Sequence, residues 1–424
     1  MKVAVIGAGV SGLVTAYRLA PEHEVSLFEA GSYPGGHTNT VDVEVGGRAL
    51  SVDTGFIVYN PRTYPNFCGL IDELGVPWVD TVMSFGAHCP LTGFEYGTEG
   101  LMGWIARPAN LLDRRLYALL RDIFKFFKVA KRDLAERPEH LAALTLAEFV
   151  AEAELSDTFR EFYIVPMTAA VWSAPASTAL QFPALTLLRF LDNHGLLSAS
   201  EAPIWRTIVG GSREYVRAML ARYRGQLHLN TPVQQVRRSA SGVELQLPDG
   251  SSQQFDQLVI ASHSDQALAL LADPSDAERE VLGGIAYQPN QAILHTDAKM
   301  LPKHKAAWAA GNCRMPSNAE QPTVLSYDMN RLQHLPGDTP IIVTLNAGDQ
   351  IDPQQILRRI DYAHPVYTQA TVAAQARWAE ISGVEHRTWY CGAYWFNGFH
   401  EDGVRSALRV VDGLTQQPAA PAAA

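Results

Sequence analysis

The sequence reads as an α/β protein, a parallel-sheet domain interrupted by an inserted α+β lobe. Three observations predict this. Residues 2–29 run strand, glycine-rich turn, helix, strand. Residues 108–200 are rich in Leu, Ala, Phe and charged residues at helical spacing, which predicts several helices. Residues 280–350 contain alternating runs, among them Gln291–His295 and Pro340–Leu345, which predict an antiparallel sheet. The composition supports a large core: 47% of 424 residues are hydrophobic and 18% are charged. At about 150 residues per domain, that length predicts two or three domains or one large fold with an inserted lobe.

The first strand, Val3-Ala4-Val5-Ile6, is too short for a secretion signal and reads as a buried parallel strand. Gly7-Ala8-Gly9-Val10-Ser11-Gly12 follows, a G-x-G-x-x-G that opens the helical run Leu13–Ala20. Gly7 permits the tight turn, Gly9 a close backbone approach to a pyrophosphate, and Gly12 close packing of helix on strand. The helix start at Val10 and Ser11 offers backbone N–H groups and a positive dipole end to phosphates. The second strand, Glu24–Glu29, ends on an acid 22 residues after Gly7. A carboxylate there accepts ribose hydroxyls. These features together predict a Rossmann-like dinucleotide-binding domain, without separating FAD from NAD.

The next residues separate them. Glu29-Ala30-Gly31-Ser32-Tyr33-Pro34-Gly35-Gly36-His37 resembles the E-x-x-x-x-x-G-G-[RH] run of the FAD-dependent amine oxidase, protoporphyrinogen oxidase and phytoene desaturase superfamily. His37 stands where most members carry Arg, which replaces a permanent charge by a neutral or switchable donor. Ser51–Phe56, with Gly55, resembles the segment passing near the flavin. Leu229–Val236 resembles the strand whose backbone meets adenine, at Val233. Phe255–Ala261 resembles the returning strand. Trp389–Tyr394, with Gly392, resembles the strand-turn before the last helix. His400–Ala407, with Gly403 and Val404, resembles the helix start facing the flavin pyrimidine. Thr168–Pro175, Asn193–Leu197 and Gly398–Gly403 resemble a bacterial branch of FAD-binding oxidoreductases associated with cyclopropane-fatty-acyl-type lipid methyltransferases.

The resemblance implies a discontinuous FAD-binding domain in the segments 1–80, 205–275 and 385–415. A mainly helical substrate lobe would span 81–204 and a substrate-domain sheet 276–384, with a disordered tail at 416–424. It implies an FAD-dependent oxidoreductase that moves hydride to flavin N5 from an apolar, fatty-acyl or isoprenoid substrate. An amine oxidase and a non-catalytic flavoprotein partner of a lipid-modifying enzyme are the alternatives. A lipid methyltransferase is the partner the resemblance implies. Gln291 falls at or near the place where amine-oxidising members carry a Lys. Asp361–Tyr367 corresponds to their substrate-flanking aromatic segment and contains no Cys, which implies non-covalent FAD. Tyr362 or His364 is expected to face substrate. Tyr394, with Trp395 and Phe396, is expected to wall the cavity.

Other classes are disfavoured. The net charge of −10 argues against nucleic-acid binding. Four scattered cysteines suggest neither disulfides nor zinc and fit a reducing cytoplasm. The histidines show no metal-ligand spacing. No run of ~20 residues is apolar enough to span a membrane. Leu111–Arg132, however, is amphipathic and concentrates seven cations. Packing on its own lobe is the favoured expectation for it. Peripheral contact with anionic lipid through Phe124, Phe126 and Phe127 is the second.

Overall fold

The computed structural model describes residues 1–172, 179–198, 203–315 and 324–416. The expected tail beyond 416 and the Ser173–Pro175 end of one family-like segment lie outside them. Five parallel strands form the nucleotide-binding sheet, in the order Thr388–Tyr390, Gln257–Ile260, Lys2–Ile6, Glu24–Phe28, Gln226–His228. Its central strands are apolar runs because both faces are covered. Val3 and Val5 pack with Leu13 and Val14 of the helix Val10–Leu19 and with Val404, Ala407 and Val410 of the helix His400–Thr415. Ala4 and Ile6 face the other way, toward Val236, Val243 and Leu245 of a three-stranded antiparallel meander. Leu229–Gln234 is not a strand. It links Gln226–His228 to Gln235–Ser239, because Asn230 turns at φ 51 and Pro232 has no N–H for a ladder.

The second sheet has seven strands: Ile356–Pro365, Tyr287–His295, Ile342–Leu345, Val324–Asp328, Gly311–Arg314, Phe85–His88 and Glu95–Gly97. Neighbours are antiparallel except Gly311–Arg314 with Phe85–His88. The sheet therefore reaches beyond residues 280–350 at both edges. Phe85–His88 is buried at every position, so it shows no alternation that would mark it as a strand.

The inserted lobe is dominated by the helix Arg114–Glu136, which buries Leu116, Leu119, Ile123, Phe126 and Ala130. That spacing of three and four is one helix face packed on the lobe. Of the three phenylalanines expected to meet lipid, only Phe124 faces outward. Phe126 is fully buried and Phe127 packs against the same core. No helix among the described residues is long and apolar enough to cross a membrane.

Candidate functional site

A cavity of about 840 Å³ runs from the glycine-rich turn to the seven-stranded sheet. Of the residues singled out in the sequence, Gly7, Gly9, Val10, Ser11, Glu29, Gly35, Gly36, His37, Gly55, Val233, Tyr362, His364, Gly392 and Tyr394 line it. Gly12, Gly403 and Val404 do not. Gly12 packs on the Gly7 carbonyl. A Cβ on Gly403 would stand 2.6 Å from Val10 Cγ1, and the Gly403 carbonyl accepts from Ser11 Oγ at 3.0 Å. Both glycines let elements close behind the cavity wall. Val404 lies in the core of the helix they seat.

At the dinucleotide end, Gly7 turns at φ 99 and its N–H donates to the Phe28 carbonyl at 2.8 Å. Gly9 is the helix N-cap and supplies no side-chain cap. Nothing lies within 4 Å of where its Cβ would be, so the helix start is open on this side and no side chain caps its first-turn N–H groups. Gly35 donates its N–H to the Ala8 carbonyl at 2.7 Å, which ties the second glycine pair to the first. Glu29 closes this end. Its Oε2 accepts from the Ala8 N–H at 2.8 Å and its Oε1 from the Gly31 N–H at 2.7 Å. Each carboxylate oxygen retains a lone pair for a ribose hydroxyl. An open cradle at a helix N-terminus beside a fixed carboxylate fits a dinucleotide, and Gly7–Ser11, Gly35–Gly36, Glu29 and Val233 are the residues on this wall that could hold one.

At the other end three rings from two elements meet. His37 stacks on Tyr362 with centroids 4.7 Å apart and on His364 at 5.1 Å. The Tyr362 hydroxyl sits between Asn39 Nδ2 and Thr54 Oγ1, each 3.1 Å away. Burial pushes this phenol up to about 12. Burial pushes His364 down to about 4. Burial first, and then His364, holds His37 well below the usual histidine range. His400 lies flat on Phe56, 3.7 Å between centroids, and meets the Tyr215 hydroxyl at 2.7 Å. Tyr394 is buried, and burial pushes its phenol well above the usual tyrosine range. Trp395 and Phe396 do not reach the cavity. Trp395 is buried in the core, and Phe396 lies under Arg405.

The strand Tyr287–His295 corrects one expectation. Side chains alternate across it, and Asn290 lines the cavity while Gln291 points away. Gln291 instead bridges Asp361 at 2.8 Å and Arg359 at 3.1 Å. Asn290, Asn346, Asn39 and Thr54 escaped the sequence reading. Isolated amides and hydroxyls in strands and loops form no motif, and only the fold brings them together.

An FAD-sized cleft between a Rossmann-like domain and a second sheet defines this chain as a dinucleotide-dependent oxidoreductase. The family profile described as flavin containing amine oxidoreductase matches residues 10–389, and the chain belongs to that family. It is thus an FAD-dependent oxidoreductase. None of the curated proteins matches the sequence. Several solved structures share the fold. A wild-type putrescine oxidase bound to putrescine shares 14% identity, with a TM-score of 0.69 over 98% of this chain and 100% of that one. A CLA-producing fatty acid isomerase from P. acnes shares 17%, with a TM-score of 0.68 over 98% of each. Cyclohexylamine oxidase from Brevibacterium oxydans IH-35A shares 15%, with a TM-score of 0.66 over 98% of this chain and 99% of that one.

Proposed function

We propose that this enzyme oxidises an apolar substrate, a fatty-acyl or isoprenoid chain, by moving hydride from one C–H bond to FAD while the neighbouring carbon gives up a proton, so that a C=C bond forms. The fold is shared by amine oxidases and a fatty acid isomerase alike, so the reading rests on the cavity wall. Met83, Phe85, Phe190, Leu196, Leu325 and Leu345 supply much of it beyond the dinucleotide end. Among the described residues no Lys, Arg or Asp lines the cavity, and its one carboxylate is Glu29 at the ribose end. A charged amine brought there would leave water without an anionic partner, a cost of several kcal/mol. A hydrocarbon chain gains about 0.8 kcal/mol per buried CH₂.

Bound FAD supplies a two-electron acceptor. The chain's own residues hold the reacting carbon against it, exclude water and present uncharged groups: Tyr362, His364, His37 and Tyr394. No cysteine lines the cavity among the described residues, which supports FAD held without a bond to cysteine. We also propose that the lobe rests on anionic lipid, from which such a substrate is drawn. Extraction of the purified protein and mass spectrometry of what it releases test the reading. An apolar lipid recovered together with free FAD supports it. Recovery of a polyamine in place of lipid overturns it.

A further inference from the structure

Asn346 is held in the left-handed region at φ 54, directly after the strand Ile342–Leu345. Asparagine tolerates this better than most residues, and such positions cluster where a side chain must be aimed. Both its backbone and its side chain are bonded to one residue. The Asn346 N–H donates to the Gln291 carbonyl at 2.8 Å, and the Gln291 N–H donates to Asn346 Oδ1 at 2.9 Å. A backbone N–H can only donate, so Asn346 Oδ1 is fixed as the acceptor and its amide cannot be turned over. Asn346 Nδ2 then donates to Asn290 Oδ1 at 2.7 Å. Asn290 Nδ2 must therefore donate to His364 Nδ1, also at 2.7 Å. His364 accepts at Nδ1, so its proton is on Nε2, which donates to His37 Nε2 at 3.1 Å. His37 then carries its proton on Nδ1, for which no hydrogen bond is made among the described residues.

We propose that this directed chain, Gln291 N–H to Asn346 to Asn290 to His364 to His37, makes His37 an uncharged positioning residue whose Nδ1–H is the donor offered to an acceptor oxygen of the bound molecule. A second proton has nowhere to settle. On His364 Nδ1 it would meet the Asn290 NH₂, and between the two Nε2 atoms one proton is already present. The surroundings agree. His364 and Tyr362 stack on His37, the other titratable groups acting on it are His263 and His400, and no carboxylate touches His37 or His364 among the described residues. Each link polarises the next in a low-dielectric site. The arrangement gives the site direction without the permanent charge that an Arg at this place would bring into an apolar cavity.

His37 borders the Gly35–Gly36 turn and also the substrate end, so the acceptor is a cofactor oxygen or a substrate carbonyl or carboxylate oxygen. Nitrogen NMR of the full-length, FAD-loaded protein with labelled histidine reads the protonated nitrogen directly. His37→Gln and His364→Gln assign the two rings. At neutral pH His37 is expected protonated at Nδ1 only and His364 at Nε2 only. An imidazolium at either residue, or His37 protonated at Nε2, overturns the proposal. If the Gln variants fail to fold, Asn290→Asp serves. A carboxylate there accepts from His364 Nδ1, so both ring signals should change, and unchanged spectra overturn the chain. Removing FAD should shift the His37 Nδ1–H signal if the acceptor is on the cofactor. Adding decanoate to the loaded protein should shift it if the acceptor is on the substrate. A signal that neither treatment moves overturns the donor role. A colourless protein would refute the FAD assignment separately, and its histidine spectrum would still test the chain.

Discussion

Glu29 shows how much one side chain contributes to the dinucleotide end. Its oxygens already hold the N–H groups of Ala8 and Gly31, which shape the turn before any ribose arrives. Charged hydrogen bonds of this kind contribute ~1.5–3 kcal/mol. Glu29→Ala should therefore weaken FAD binding about 10–150-fold, as read by dilution of the yellow protein and fluorescence of released flavin. Unchanged affinity would mean that Glu29 does not hold the ribose. Gly403 makes a different kind of contribution. A methyl there would collide with Val10 and crowd Ser11 Oγ at 3.1 Å. Gly403→Ala should cost roughly 1–3 kcal/mol of stability by overpacking, seen as a lower thermal midpoint. An unaltered midpoint would show that the two helices have slack. Glu29 was legible because an acid at the end of the second strand is part of a motif. Asn290 and Asn346 were not, because their roles arise from strand alternation and from one left-handed residue.

At the scale of elements, the helix Arg114–Glu136 was legible as amphipathic, but which face meets what was not. Its apolar face packs on the lobe. Leu101, Met102, Leu112 and Phe124 are 61% to 90% exposed. Arg114, Arg121, Lys128, Lys131 and Arg132 lie exposed on the same helix, while its buried acids, Asp122 and Asp133, are paired with Arg121 and with Arg132 and Arg137. Single exposed apolar residues are ordinary, but exposed apolar residues in a lobe whose long helix also exposes several cations suit an anionic lipid surface. Vesicle flotation should recover the protein with anionic vesicles and not with neutral ones, and salt should weaken recovery. Burying Leu112 and Phe124 would contribute ~1.5–3 kcal/mol each, so replacing both with Ser should lower binding at least about tenfold. Equal flotation of the wild type and this variant would remove the lipid contact from the account.

For the whole molecule, buried neutral histidines set the response to acid. Burial lowers His88, His194, His295 and His364 to about 4 and His400 to about 3. An unfolded histidine titrates near 6.5, so between roughly pH 4 and 6.5 the unfolded chain binds more protons and stability rises with pH. Asp53 and Asp402, raised to about 6 by burial, work in the opposite direction over part of that range. Five histidines outweigh two acids. The thermal midpoint should therefore fall clearly from pH 7 to pH 5, and a midpoint that is flat or higher at pH 5 would contradict these burial effects. The two-sheet plan itself was legible in the sequence, since parallel strands and the glycine turn are local signals. The cavity was legible only in part. Its dinucleotide end is written in consecutive residues, whereas its apolar end gathers side chains such as Phe85, Leu196 and Leu325 from distant segments.

Anaerobic titration of the purified yellow protein, following the visible flavin band, tests the central reading most directly. A hydrocarbon-chain substrate that transfers hydride bleaches the band in the absence of oxygen, and a charged amine has no anionic partner at the apolar end of the cavity among the described residues. The account predicts bleaching by fatty-acyl or isoprenoid compounds and none by putrescine or other polyamines. Bleaching by polyamines, with the band untouched by every apolar compound, would contradict it.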